Sequence, residues 1–144
     1  MARVKRPVSI RRFERLFYVG LVTAGFNSYL IAVNPSGGAE PDKAAFVAVI
    51  VVLTVLEIAL NLLLLWLTAY RASNIARWIF IGLVAIGFVF QIADVGHARA
   101  YGDLSLALTL AQDLLCVIEI GLLFRRDARD WFAGRRPVDP EIFS

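Results

Sequence analysis

Four long apolar runs organise the chain, at about 16–33, 44–70, 78–98 and 104–124. Each is close to, or longer than, the roughly 20 residues a helix needs to cross a bilayer core. Between the first two lies Asn34-Pro35-Ser36-Gly37-Gly38-Ala39-Glu40-Pro41-Asp42-Lys43, a stretch of turn formers and helix breakers. The segment 71–77 is short and polar, and 99–103 contains Tyr101-Gly102. Connections this short force sequential helices to run antiparallel. The pattern predicts an all-α polytopic membrane protein: one transmembrane domain over 1–144, an antiparallel up-and-down four-transmembrane-helix bundle, with a tail at 125–144. Asn27 near the middle of the first run argues for a retained span over a cleaved signal peptide.

Polar residues break each run at spacings of three, four and seven, which place them on one helical face. The first run carries Thr23 and Asn27; the second Thr54, Glu57, Asn61 and Thr68; the third Gln91 and Asp94, followed by His97; the fourth Thr109, Gln112, Asp113, Cys116 and Glu119. The simplest arrangement turns four polar stripes toward a shared interior, away from lipid. At 1.5 Å rise per residue, Glu57 and Asp113 fall near midplane, Asp94 roughly 9 Å toward one surface and Glu119 roughly 7 Å toward the other.

Four acids (Glu57, Asp94, Asp113, Glu119) face no Lys or Arg at comparable depth. Unpaired carboxylates do not stay charged cheaply in hydrocarbon. Either they are protonated and share hydrogen bonds with Asn61, Gln91 and Gln112, or a cation or a partner's basic group neutralises them. A proton or cation path is one reading of this interior. Interhelical hydrogen bonding, at about 0.6–2 kcal/mol per contact, is another, and docking to a further membrane subunit a third. The fourth run holds about a dozen Leu, Ile, Val and Phe, and their favourable insertion roughly balances the penalty for two acids. It is expected to depend on its neighbours. Gly20, Ala24 and Ser28, four apart, suit close helix packing or self-association.

Charge gives the expected orientation. Thirteen of the 15 Lys and Arg lie before the first run, between the second and third, or after the fourth, leaving Lys43 and Arg99 on the other side. Positive charge on short segments marks the cytoplasmic face, so both termini are expected there. Trp66, Tyr70, Trp78 and Trp131 fall at that surface, and Tyr29 and Tyr101 at the opposite one. The stretch 9–18 places Ile10, Phe13 and Phe17 at i, i+3, i+7 among arginines, which suits either an interfacial helical turn or an extension of the first helix.

Composition agrees. The chain has 144 residues, 59% hydrophobic, against about 45–50% for a soluble domain. Its net charge of +3 sits at the ends of apolar runs, which favours lipid headgroups over nucleic acid. One cysteine, Cys116, excludes an intrachain disulfide or a cysteine metal knuckle. A single histidine excludes bis-His haem, and Met1 is the one methionine. No metal cluster, nucleotide loop or nucleophile–base pair can be assembled, so no cofactor, no metal and no enzymatic activity are expected.

Arg71-Ala72-Ser73-Asn74-Ile75-Ala76-Arg77-Trp78 resembles the opening of the third helix in uncharacterised small four-helix bacterial inner-membrane proteins. Leu122-Leu123-Phe124 with Ala128-Arg129-Asp130-Trp131-Phe132 resembles their exit from the fourth, and Ser9-Ile10-Arg11-Arg12-Phe13-Glu14 their start. The resemblance implies a bacterial inner membrane and brings no catalytic or binding residue with it. Arg77, Trp78, Arg129 and Trp131 suit anchors at the lipid interface. The expected function is handling of protons or cations by an acidic interior, as a homo-oligomer. The alternative is an accessory or assembly subunit beside other membrane subunits.

Overall fold

In the computed structural model, residues 6–33, 43–93 and 102–134 are described. Among them the chain forms five helices and no strand: α1 Val8–Val33, α2 Lys43–Ala69, α3 Asn74–Ala93, α4 Asp103–Leu123 and α5 Arg126–Phe132. The first four are long and apolar enough to cross a membrane. Asp94, His97, Arg99, Tyr101, the first loop 34–42 and the tail from 135 lie outside the described residues.

Sequential helices alternate in direction. α1 lies along both α4 and α2, while α3 closes the ring with sparser contacts to α2 and α4. α1 begins well before its apolar run, so 9–18 is its first turns and not a separate interfacial element. Arginines mask this start in a hydropathy window, yet Ile10, Phe13 and Phe17 already mark a helical face. They bury that face: Phe13, Phe17 and Phe80 form a triangle of rings with centroids 5.5, 5.8 and 5.7 Å apart. Ile10, Leu65, Ala69, Leu123 and Ala128 enclose it.

This core sits where α1 and α3 begin and α2 and α4 end, beside Arg6, Arg11, Arg12, Arg15, Arg71, Arg125, Arg126 and Arg129. We call it the basic end. Two local devices shape it. The α2–α3 reversal holds Ala72 at φ 50°, with the Ser73 N–H donating to the Leu67 carbonyl and the Ala76 N–H to Ser73 Oγ. That is a helix-ending left-handed residue followed at once by a side-chain cap for the next helix. After α4 the chain folds back as α5, and Asp127 Oδ2 accepts the Ser9 N–H at 3.1 Å. A carboxylate from one helix thereby satisfies a free donor in the first turn of another.

Away from the basic end the large apolar side chains point outward; Val22, Leu56, Phe90, Ile92 and Leu114 are all exposed. An exterior this apolar is what lipid contact requires.

Candidate polar interior

Polar contacts cross the bundle at three levels. Farthest from the basic end, Asn27 on α1 donates to Thr109 Oγ1 at 3.1 Å and accepts from Ser105 Oγ at 2.7 Å, tying α1 to α4. Nearer the middle, Gln91 Nε2 on α3 donates to Asp113 Oδ2 at 2.8 Å. Closer to the basic end, Glu57 and Asn61 of α2 and Gln112 and Glu119 of α4 line one cavity of about 60 Å³. Glu119 is only 2% exposed, and its Oε1 has no hydrogen-bond partner. Glu57 lines the cavity yet remains exposed, which marks its open side.

The α4 polar residues do not form a single stripe. A helix turns about 100° per residue, so adjacent positions diverge. Gln112 and Glu119 face α1 and α2, whereas Asp113 faces Gln91 on α3. Gln112 also reaches along its own helix, with Nε2 3.8 Å from Cys116 Sγ. Gly20 makes the α1–α4 approach: a Cβ there would stand 3.0 Å from Gln112 Nε2 and 3.6 Å from Glu119 Oε1. Of the small residues spaced by four, Gly20 and Ala24 face this cavity. Ser28 lies instead on an apolar cleft of about 520 Å³ between α1 and α2, with Thr54, Gly25 and Tyr29.

Asn61 Nδ2 donates to the Glu57 carbonyl at 2.9 Å, one turn back on its own helix, which leaves its amide oxygen available. The other buried cavity atom without a partner, besides Glu119 Oε1, is Gln112 Oε1. Both are acceptors. The lining holds no Lys, Arg or His, and among the described residues no three of His, Cys, Asp and Glu are grouped to hold a metal ion.

The proposed interfacial anchors occupy different settings. Arg77 is 8% exposed, its guanidinium 5.4, 5.3 and 4.9 Å from the rings of Trp78, Phe124 and Phe132. Trp78 and Arg129 are exposed, and Trp131 packs against the core with a buried, unpartnered Nε1. The Phe124–Phe132 cage was not legible from spacing, because it depends on how α5 folds back.

At the rim Glu14 accepts from Arg6 at 3.0 Å and from the Tyr70 hydroxyl, while Arg6 lies 4.4 Å over the Tyr70 ring. Donation to Glu14 pushes the Tyr70 phenol up, against a weaker downward pull from Arg6. Burial would raise the Asp127 carboxyl, but the Ser9 N–H and the Arg125 guanidinium outweigh it and hold it below the usual range.

No protein-family model, curated protein or solved structure matches this chain. The stretches 71–78 and 122–132 fall at helix ends: the α2–α3 reversal and start of α3, and the end of α4 with α5.

Proposed function

We propose that the chain spans a bacterial inner membrane four times, basic end and both termini in the cytoplasm, and that its acidic interior handles protons or small cations. It does so without enzymatic chemistry, as an oligomer, since the cavity is water-sized and four helices leave little room for a pore. The observation that carries this reading is the buried Glu119 carboxylate, unpartnered and facing the same cavity as Glu57, with no basic side chain in the lining. A carboxylate in hydrocarbon needs a proton, a cation or a donor. Structural hydrogen bonding would have supplied the donor from the protein, as Gln91 does for Asp113.

Dye-reported flux into proteoliposomes under an imposed gradient tests it. The parent is expected to exceed empty liposomes, Glu57→Gln and Glu119→Gln to abolish the excess, and Asp113→Asn to reduce it less. Equal leak from all samples would remove the transport reading. The accessory-subunit reading would then lead, favoured by the large apolar cleft between α1 and α2 as a seat for a partner helix. Orientation is checked separately: cysteine at Ser36 should react with an impermeant thiol reagent outside intact cells, and cysteine at Ser73 should not.

A further inference from the structure

The buried cavity atoms without a partner are both acceptors. Glu119 Oε1 and Gln112 Oε1 are buried without partners, and Asn61 directs one amide N–H to the Glu57 carbonyl on its own helix, leaving its amide oxygen available. With Glu57, four side chains from two helices present oxygen to a space of about 60 Å³, room for a small ion with roughly one or two waters. We propose that Glu57, Asn61, Gln112 and Glu119 form a binding site for a small monovalent cation of the sodium class, which competes with a proton for the two carboxylates. The inference rests on the proposed interior of protons or cations and names the ion and its ligands.

Charge and ligand number point to a monovalent ion. Two carboxylates holding one proton and one monovalent cation are neutral, the cheapest state in a low-dielectric interior. Calcium takes six to eight oxygens, and magnesium keeps several waters in strict octahedral geometry. Here the protein offers two acids and two amides, with no third acid grouped beside them among the described residues. Softer metals prefer thiolate or imidazole; Cys116 is engaged by Gln112 Nε2, and the cavity has no histidine. Gly20 keeps the space open, since a side chain at that position would press on Gln112 and Glu119.

The titratable groups around the site are few. The lining itself holds Glu57 of α2 and Glu119 of α4; outside it on α4 lie Asp113, turned to Gln91, and Cys116, approached by Gln112 Nε2. The facing residues of α1 (Phe17, Leu21, Ala24) and of α3 (Phe80) carry no charge, and Arg77 is held apart among its aromatic rings. A one-for-one exchange then follows: displacing one proton per cation makes apparent affinity fall about tenfold per pH unit on acidification.

Infrared difference spectra of the full chain in detergent, sodium chloride against choline chloride at constant ionic strength, provide the test. Sodium should shift carboxylate stretching bands saturably, potassium more weakly, and half-saturation should rise with acidity. Glu57→Gln and Glu119→Gln should each weaken sodium binding by about tenfold or more, while Asp113→Asn keeps it. Gly20→Ala, which changes no charge, should also weaken it and guards against loss of fold in the acid variants. Identical spectra in sodium, potassium and choline overturn the inference, as does a sodium shift that survives both Gln variants. If sodium has no effect while proteoliposomes still move protons, the site is proton-only and the broader function stands. A sodium shift without any flux keeps the site and removes transport.

Discussion

The two halves of the bundle are held by different forces. At the basic end, aromatic and aliphatic side chains from all five helices bury one another around Phe13, Phe17 and Phe80. In the other half many large apolar side chains point outward, and hydrogen bonds link the helices: Asn27 with Ser105 and Thr109, and Gln91 with Asp113. Apolar burial stabilises only what would otherwise meet water. At about 39 Å long, α1 outruns a hydrocarbon core of about 30 Å, so in the proposed membrane its first turns, with α5, would reach the layer where water competes. Inside lipid, an apolar contact replaces one just as apolar, and association falls to small residues and hydrogen bonds.

The contrast breaks most readily at Phe13. Phe13→Ala removes a ring 1% exposed at the centre of the triangle, and should destabilise by about 3–5 kcal/mol. Phe90→Ala, on an outward-facing ring, should cost less than about 1 kcal/mol. Unfolding of both variants by a denaturing detergent makes the comparison. Similar losses would mean that hydrophobic burial does not distinguish the two regions.

Asn27 sharpens the same contrast from the polar side. Asn27→Ala breaks both links to α4 and leaves Thr109 and Ser105 in an apolar setting. An interhelical hydrogen bond in a bilayer contributes about 0.6–2 kcal/mol, so the loss should stay below that of Phe13→Ala. A larger loss would show that the polar contacts hold the bundle and the aromatic core is secondary.

The two regions also differed in how readily the sequence revealed them. Four spans, their alternation and the polar positions follow from hydropathy and helical spacing. The start of α1 was masked by Arg11, Arg12 and Arg15. What spacing does not carry is azimuth relative to neighbours. Gln112 and Asp113 differ by one residue, yet one meets the Glu119 cavity and the other meets Gln91. Nor could it place Gly20 against Gln112, or aim α5 so that Asp127 reaches Ser9 across more than a hundred residues. Such pairings depend on which helices touch, and a period does not state that.

Asp127 yields a smaller effect with a definite sign. Asp127→Ala should cost about 0.5–1 kcal/mol near neutral pH, at the low end for a helix cap because the carboxylate is partly exposed. Its folded ionisation lies below the unfolded value of about 3.9. The contribution is therefore fully present above that value and is lost as pH falls through the lower folded one. Hydrogen exchange across 126–132 reads this directly: protection should fall at acid pH in the parent, and be low at every pH in Asp127→Ala. Protection unchanged by the mutation would mean that α5 is held by Ala128 and its apolar contacts alone.

The weakest effect belongs to Tyr70, at the exposed rim of the same end. Its hydroxyl donates to Glu14, and ionising the phenol would set an anion against that carboxylate. The folded phenol therefore ionises above its ordinary value of about 10. The interaction is fully present below that value and is lost as pH rises through the folded one. Because the pair is solvated, Tyr70→Phe should leave unfolding almost unchanged. The measurable consequence is spectroscopic. The phenolate absorbance titration of the parent, minus that of Tyr70→Phe, isolates this residue and should have its midpoint above the ordinary range. Glu14→Gln removes the negative charge that opposes ionisation and should move that midpoint down. Arg6→Gln removes the cation over the ring and should move it up. An unshifted midpoint in both variants would detach Tyr70 from Glu14 and leave the apolar packing of Ile10, Phe13 and Phe17 with Leu65 and Ala69 to join α1 to the end of α2.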